Sequence, residues 1–298
     1  MKVPLEIEKQ IEQQKIDAYV VNHLPIVKAY AERIGLVSVI NHLVPSEMEI
    51  DPGTIFLGMI LDTLSGRSPL YRLETFFESQ DTELLLGKKV DRSGFSDHNV
   101  ARAMDKAYDV GTLKIYSNIA ANAVSAFDIN TEHVSFDTTS ISVHGDYDLY
   151  DMENHGHPFK ITYGHSKDHR RDLKQFMISL LCVDRTVPIF GRTEDGNGSD
   201  KTINNRILTS ISKYMANHGV EPVAFIYIAD SAMVTAKNLS TIGDRTLFIS
   251  RLPATFKACS RAITEAIEND QWEDLGVISN TKPTKKGPAA HYRAYETQ

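Results

Sequence analysis

Up to about Phe127, apolar residues recur every three to four positions, the spacing that lays a stripe along an α-helix. One helix is expected to open at Asp51-Pro52, where the Asp can cap and the Pro fits the first turn, and to close near Gly66. Another is expected from Ser96 to Gly111, with Val100, Met104, Ala107 and Tyr108 on one face. This half reads as an all-helical domain. It carries neither a clear helix-turn-helix signature nor a short-period repeat, so a scaffold or dimerisation role and DNA-end recognition stand level.

Beyond Phe127 the period changes. The run from His133 to Val143 is rich in β-branched residues and reads as a strand with apolar groups on both faces. A polar stretch from His144 to Asp172 follows. A second strand near Phe176 to Val183, a turn at Asp184-Arg185 and a third strand from Val187 to Arg192 are expected to include a hairpin. Asp200 would cap a helix bearing Ile203, Ile207, Ile211, Tyr214 and Met215 until Gly219 ends it. The run from Val223 to Ala229 is too short and too apolar for anything but a strand buried on both faces, and it ends in Asp230. A short helix around Thr235 to Leu239 and a strand from Thr246 to Ser250 complete the order β-β-β-α-β-α-β. A Lys/Pro/Gly-rich linker from Lys282 to Ala290 then leads into an extended segment, His291 to Tyr295, with no evident partner, which reads as a truncated chain.

With 298 residues, 42% hydrophobic and 24% charged, the chain can build one large or two average domains. The longest apolar run, Ile55 to Leu61, is too short to span a bilayer, and the first residues lack a basic stretch leading into an apolar one, so a soluble, cytoplasmic protein is expected. Cys182 and Cys259 form no CxxC and are expected to be buried small hydrophobes. A net charge of -7 argues against a protein that coats DNA indiscriminately, although carboxylates gathered for metal binding would themselves add negative charge.

Asp137 falls within the first strand of the second half and Asp230 at the carboxyl end of the fourth. If those strands are neighbours, two carboxylates distant in sequence converge. Converging in a pocket, they do not both stay ionised cheaply unless a cation sits between them, and hard oxygen ligands suit Mg²⁺ or Mn²⁺. Each alone has a plainer reading: Asp137 as a solvent-facing strand residue, Asp230 as a helix cap.

Four blocks, Phe136-Asp-Thr-Thr-Ser-Ile-Ser142, Tyr163-Gly-His-Ser-Lys-Asp-His-Arg-Arg-Asp-Leu-Lys-Gln175, Gly196-Asn-Gly-Ser-Asp-Lys201 and Ile228-Ala-Asp-Ser-Ala232, follow in that order. In them the chain resembles bacterial insertion-sequence transposases of the DDE class, in the branch with a helical N-terminal domain of unknown function. The resemblance covers most of residues 131 to 250. It implies an α+β protein: a helical domain over 1–127, a ribonuclease-H-like mixed sheet flanked by helices over 128–258, and the start of an inserted, truncated segment over 259–298. The strand order fits such folds, in which the first and fourth strands lie side by side, but topology alone gives no function.

By position, the resemblance makes Asp137 and Asp230 the first two catalytic aspartates and ligands of Mg²⁺ or Mn²⁺. The family's third residue is a Glu in a pattern of the kind Tyr-x-x-Arg-x-x-x-Glu, which is missing here. Tyr292-Arg293-Ala-Tyr-Glu296 has the wrong spacing, so Glu296 is not assigned and the Glu is expected beyond residue 298. His155, His157, His165 and His169 fit no zinc spacing. Lys167, His169, Arg170, Arg171 and Lys174 are expected either to form a basic rim that positions DNA phosphates beside the active site or to be a solvated loop. Asp195-Gly-Asn-Gly-Ser199 lacks the Gly-Lys-Ser/Thr of a phosphate loop and reads as a turn.

The resemblance implies metal-dependent cleavage at terminal inverted repeats and strand transfer into target DNA, by a homodimer that pairs two ends. Without the third carboxylate the chain is expected not to complete transposition. A ribonuclease-H-like nuclease, and a non-catalytic remnant that binds DNA or dimerises, remain the alternatives.

Overall fold

In a computed structural model, residues 18–147, 159–166, 168–184, 186–199, 202–203, 206–207, 225–242, 247–278 and 290–297 are described. The first half is helical throughout: α1 (Leu24–Arg33), α2 (Leu36–Leu43), α3 (Pro52–Thr63), α4 (Leu73–Phe76), α5 (Thr82–Leu86), α6 (Asp97–Val110) and α7 (Thr112–Phe127). Helix α3 begins where expected, with Asp51 Oδ1 accepting the Thr54 N–H at 2.8 Å and Pro52 in the first turn. It is apolar around most of its circumference because it lies between two clusters. Leu57 and Leu61 pack with Leu24, Leu36 and Ile40; Ile55 packs with Leu73, Phe77 and Phe95.

The inward stripe of α6 differs from the expected one. Val100, Ala103 and Ala107 are buried, whereas Met104 and Tyr108 are 41% and 54% exposed. Small residues at 103 and 107 let α6 approach α3 closely, which turns the larger neighbours outward.

The second half is built on a five-stranded mixed sheet of β1 (His133–Val143), β2 (Lys174–Val183), β3 (Val187–Glu194), β4 (Ile226–Ala229) and β5 (Leu247–Ser250), ordered β3-β2-β1-β4-β5. β2 and β3 form the expected hairpin, β1 is antiparallel to β2, and β4 lies parallel to β1 and to β5. The first and fourth strands are therefore neighbours. One face is the core: Val134, Phe136, Leu181, Val183, Ile189 and Tyr227 meet there with Ile203 and Ile207. The helix expected from Asp200 to Gly219 lies outside the described residues apart from four positions.

β4 is buried on one face only. Tyr227 is fully buried, while Ile226 and Ile228, which face the other way, are half-buried. Helix α7 serves both halves. Its Ala120, Tyr116 and Val124 pack into the sheet core, and Asn122 Nδ2 donates to the Ile34 carbonyl at 3.0 Å on the helical side.

After β4 come a 3-10 turn (Ser231–Met233), α8 (Ala236–Ile242), β5, and α9 (Lys257–Asn269), which spans the boundary expected at 258. The terminal strand has a partner after all: β7 (Tyr292–Ala294) pairs antiparallel with β6 (Glu273–Gly276). The polar sequence Glu-Asp-Leu-Gly hid the partner, which has no alternation to betray it. The linker before β7 lies outside the described residues. Among those residues, no helix is long and apolar enough to cross a membrane.

Candidate active site

Asp137 and Asp230 are positioned by backbone register. The parallel pairing of β1 and β4 runs His133↔Ile226, Val134↔Tyr227, Ser135↔Ile228. The pairing stops there, and Asp137 and Asp230 each lie two residues further along their chains. Paired Val134 and Tyr227 are both buried in the core, so Asp137, three residues further along β1, faces the opposite side of the sheet, while Asp230 follows the end of β4. Neighbouring strands are separated by about 4.8 Å, so the two aspartates lie close in the fold, Asp230 just past the carboxyl end of β4 and Asp137 midway along β1. Both residues are exposed.

Local contacts hold this edge. Asp137 Oδ1 accepts the Thr138 N–H at 2.8 Å. The Asp230 carbonyl accepts from Ser250 Oγ at 2.9 Å and from the Met233 N–H at 3.2 Å, tying the end of β4 to β5 and to the 3-10 turn. Arg251 Nη2 reaches Ser231 Oγ at 3.4 Å. The negative field of the pair is felt nearby. Burial and then Asp137 push the Cys182 thiol up, and burial and then Asp230 raise the Tyr227 phenol. Neither cysteine is buried as expected; both are half-exposed, Cys182 because it faces the Asp137 side of the sheet rather than the core.

Two exposed carboxylates suit Mg²⁺, which is commonly held by one or two carboxylates, with water and substrate phosphate completing its shell. Among the described residues, no group of three or more His, Cys, Asp or Glu side chains could hold a metal. Glu194 pairs with Met177 and so faces the core, away from Asp137. Glu296 follows β7, whose neighbours Tyr295 and Thr297 both donate to Glu265 of α9.

The basic segment lies at the far end of β1, beyond its carboxyl end. Lys174 pairs with Val143, six residues beyond Asp137, or about 20 Å along the strand. Lys174 donates to the Asp146 carbonyl. Arg170 grips Asp172 with two bonds of 2.9 and 2.7 Å, and that guanidinium holds the Asp172 carboxyl down at about 2. His165, His169 and Arg171 are exposed, and His169 has a left-handed φ of 60°. Lys167, His155 and His157 lie outside the described residues.

Two of the sequence blocks prove to be one structural clasp. Gly164 and Gly196 sit against each other beneath the buried Gln175, whose Nε2 donates to the Gly196 carbonyl at 2.6 Å, while Gly196 N–H donates to the Lys160 carbonyl at 2.8 Å. Sequence reading missed the group beside it. Glu194, buried near the end of β3, accepts from Arg206 Nη1 at 2.8 Å and lies 3.8 Å from Arg192 Nε. The third strand was expected to stop at Arg192, which left Glu194 in a loop.

Residues 16–121 match the family model described as a domain of unknown function (DUF4277). No curated protein and no solved structure matches the chain.

Proposed function

We propose that this chain is a DNA-processing enzyme of the transposase type, using Asp137 and Asp230 to hold Mg²⁺ or Mn²⁺ at the carboxyl edge of its sheet. The observation that carries the reading is the parallel pairing of β1 with β4, whose last printed pair, Ser135 and Ile228, lies two residues before Asp137 and Asp230. The four sequence blocks support it, as does the helical half, since the matched domain is found in transposase-like proteins.

Bound there, divalent ions would activate a water or a 3′-hydroxyl and stabilise the leaving oxygen of a phosphodiester. The chain's own part is to hold both carboxylates in place. Thr138 N–H orients Asp137, and Ser250 pins the strand end that presents Asp230. Their exposure leaves room for a duplex. Pairing of two DNA ends would call for two copies of the chain.

Calorimetric titration with Mn²⁺ tests the assignment: Asp137→Asn and Asp230→Asn are each expected to weaken binding. Parent-like binding in both variants would remove the metal from this edge. Gel assays on DNA with terminal inverted repeats then separate the chemistries, since strand transfer marks a transposase and cleavage alone a ribonuclease-H-like nuclease. DNA binding without metal-dependent cleavage would leave the non-catalytic reading. Where the parent cleaves, either Asn variant is expected to be slower by at least about 10²-fold, the usual cost of losing one preorganised charge-stabilising group.

A further inference from the structure

The parallel pairing of β4 with β5 ends at Ala229↔Ser250, so Asp230 and Arg251 are the next residues on neighbouring strands. Adjacent strands lie about 4.8 Å apart, which sets the backbone of an arginine beside that of a candidate metal ligand. Side chains tie the same corner together. Ser250 Oγ donates to the Asp230 carbonyl at 2.9 Å, and Arg251 Nη2 reaches across to Ser231 Oγ at 3.4 Å. The carboxyl ends of neighbouring parallel strands are where open sheets commonly receive their ligands.

Arg251 is exposed, and among the described residues its side chain makes the long bond to Ser231 and no ion pair. A bond of that length to a neutral hydroxyl contributes little, so it does not explain the residue. An arginine next to an aspartate ordinarily closes an ion pair with it, whereas this one keeps most of its five N–H donors in solvent. A guanidinium fork matches the oxygens of a phosphate, and a divalent ion on the carboxylates would offset their charge beside it. The cations on the β1–β2 side do not serve this corner. Lys174 pairs with the last residue of β1, about 20 Å along the strand from Asp137, and Arg170 is gripped by Asp172.

We infer that Arg251 holds a backbone phosphate of the DNA strand bound at Asp230, so that the end of β4 supplies a metal ligand and the end of β5 a phosphate clamp. The naming of DNA and of the metal rests on the function proposed above. A guanidinium has no lone pair to offer a metal ion, so the work of Arg251 falls on the DNA alone. Loss of the side chain therefore weakens DNA binding and leaves metal binding as it was.

The test is fluorescence anisotropy of the full chain with duplex DNA bearing terminal inverted repeats, over a salt series without divalent metal so that nothing is cut. Arg251→Gln and Arg251→Lys are compared with the parent, and their urea midpoints check that these exposed changes leave the fold intact. In Arg251→Gln, binding is expected to weaken about tenfold and the slope of log K against log salt to become shallower by about one. Arg251→Lys keeps the charge and so the slope. Calorimetry with Mn²⁺ in the absence of DNA is expected to find Arg251→Gln like the parent. An unchanged slope in Arg251→Gln, an equal loss of slope in Arg251→Lys, or no salt-sensitive DNA binding by the parent would overturn the assignment. So would Mn²⁺ binding that weakens in Arg251→Gln, which would make the residue a support for the carboxylates. An unchanged slope beside weakened Mn²⁺ binding in the two Asp→Asn variants refutes Arg251 alone, whereas parent-like Mn²⁺ binding in those variants refutes the metal reading.

Discussion

At Gly164 and Gly196 the side chain is excluded by geometry. A Cβ at Gly196 would run into the Gln175 carbonyl and come within 2.8 Å of the Thr162 carbonyl; one at Gly164 would meet the Gly196 carbonyl and Gln175 Nε2. Backbone cannot step aside as a flexible side chain can. Gly196→Ala is therefore expected to lower stability by about 1–3 kcal/mol, read from the urea midpoint at constant slope. A shift below about 0.5 kcal/mol, the usual range of harmless surface changes, would mean that the two loops have slack. The blocks around these glycines carry much of the resemblance to transposases, yet what the glycines do in the structure is let two loops pack closely. Asp137 and Asp230 stood out because their neighbours resemble those of that family, whereas Glu194 and Arg206 gave no local signal. A Glu just past the expected end of a strand looks like a loop residue until the rest of the fold buries it.

Elements whose cause is local were legible in the sequence. Helix α3 opens at Asp51 because one carboxylate meets the free N–H of Thr54 and the Thr54 hydroxyl, with Asn41 donating at 2.7 Å and Lys88 forming an ion pair. Burial pushes this carboxyl up, but the bonds from Lys88, Asn41 and Thr54 outweigh it and hold it at about 2, against an ordinary 3.8. The contribution is complete above pH 3.8 and is lost as pH falls through 2. It is on the order of 1 kcal/mol once solvent screening of this partly exposed group is allowed for. Asp51→Ala should cost about 1–2 kcal/mol in urea unfolding at pH 7, cap included, and clearly less near pH 2. An equal penalty at both pH values would show that the charge is irrelevant. Strands β1 to β3 were legible from the change of period. The adjacency of β1 and β4, and the pairing of β6 with β7, are long-range facts that periodicity cannot carry. The rotated face of α6 belongs with them, since closeness to α3 decided between Ala103 and Met104.

Across the whole molecule, α7 is shared property. Tyr116 donates its hydroxyl to the Pro188 carbonyl at 2.7 Å and Ala120 sits in the sheet core, while Arg33 Nη2 reaches the Ala126 carbonyl at 3.2 Å from the helical side. Two cores sharing one helix should melt together. Differential scanning calorimetry is expected to show a single transition, and two peaks separated by more than about 10 °C, beyond what 1–2 kcal/mol of local difference produces, would mean that the halves fold independently. The same helix leaves the sheet lopsided. α7 lies along β3 and shields that side, but the sheet runs out at β5 with Leu247, Phe248 and Ile249 exposed and no lysine or proline among them to discourage a visitor. A preparation of this protein therefore has a built-in direction of decay. On crowding, copies will tend to stick through the β5 rim, so cloudiness should climb with concentration long before any molecule has unfolded.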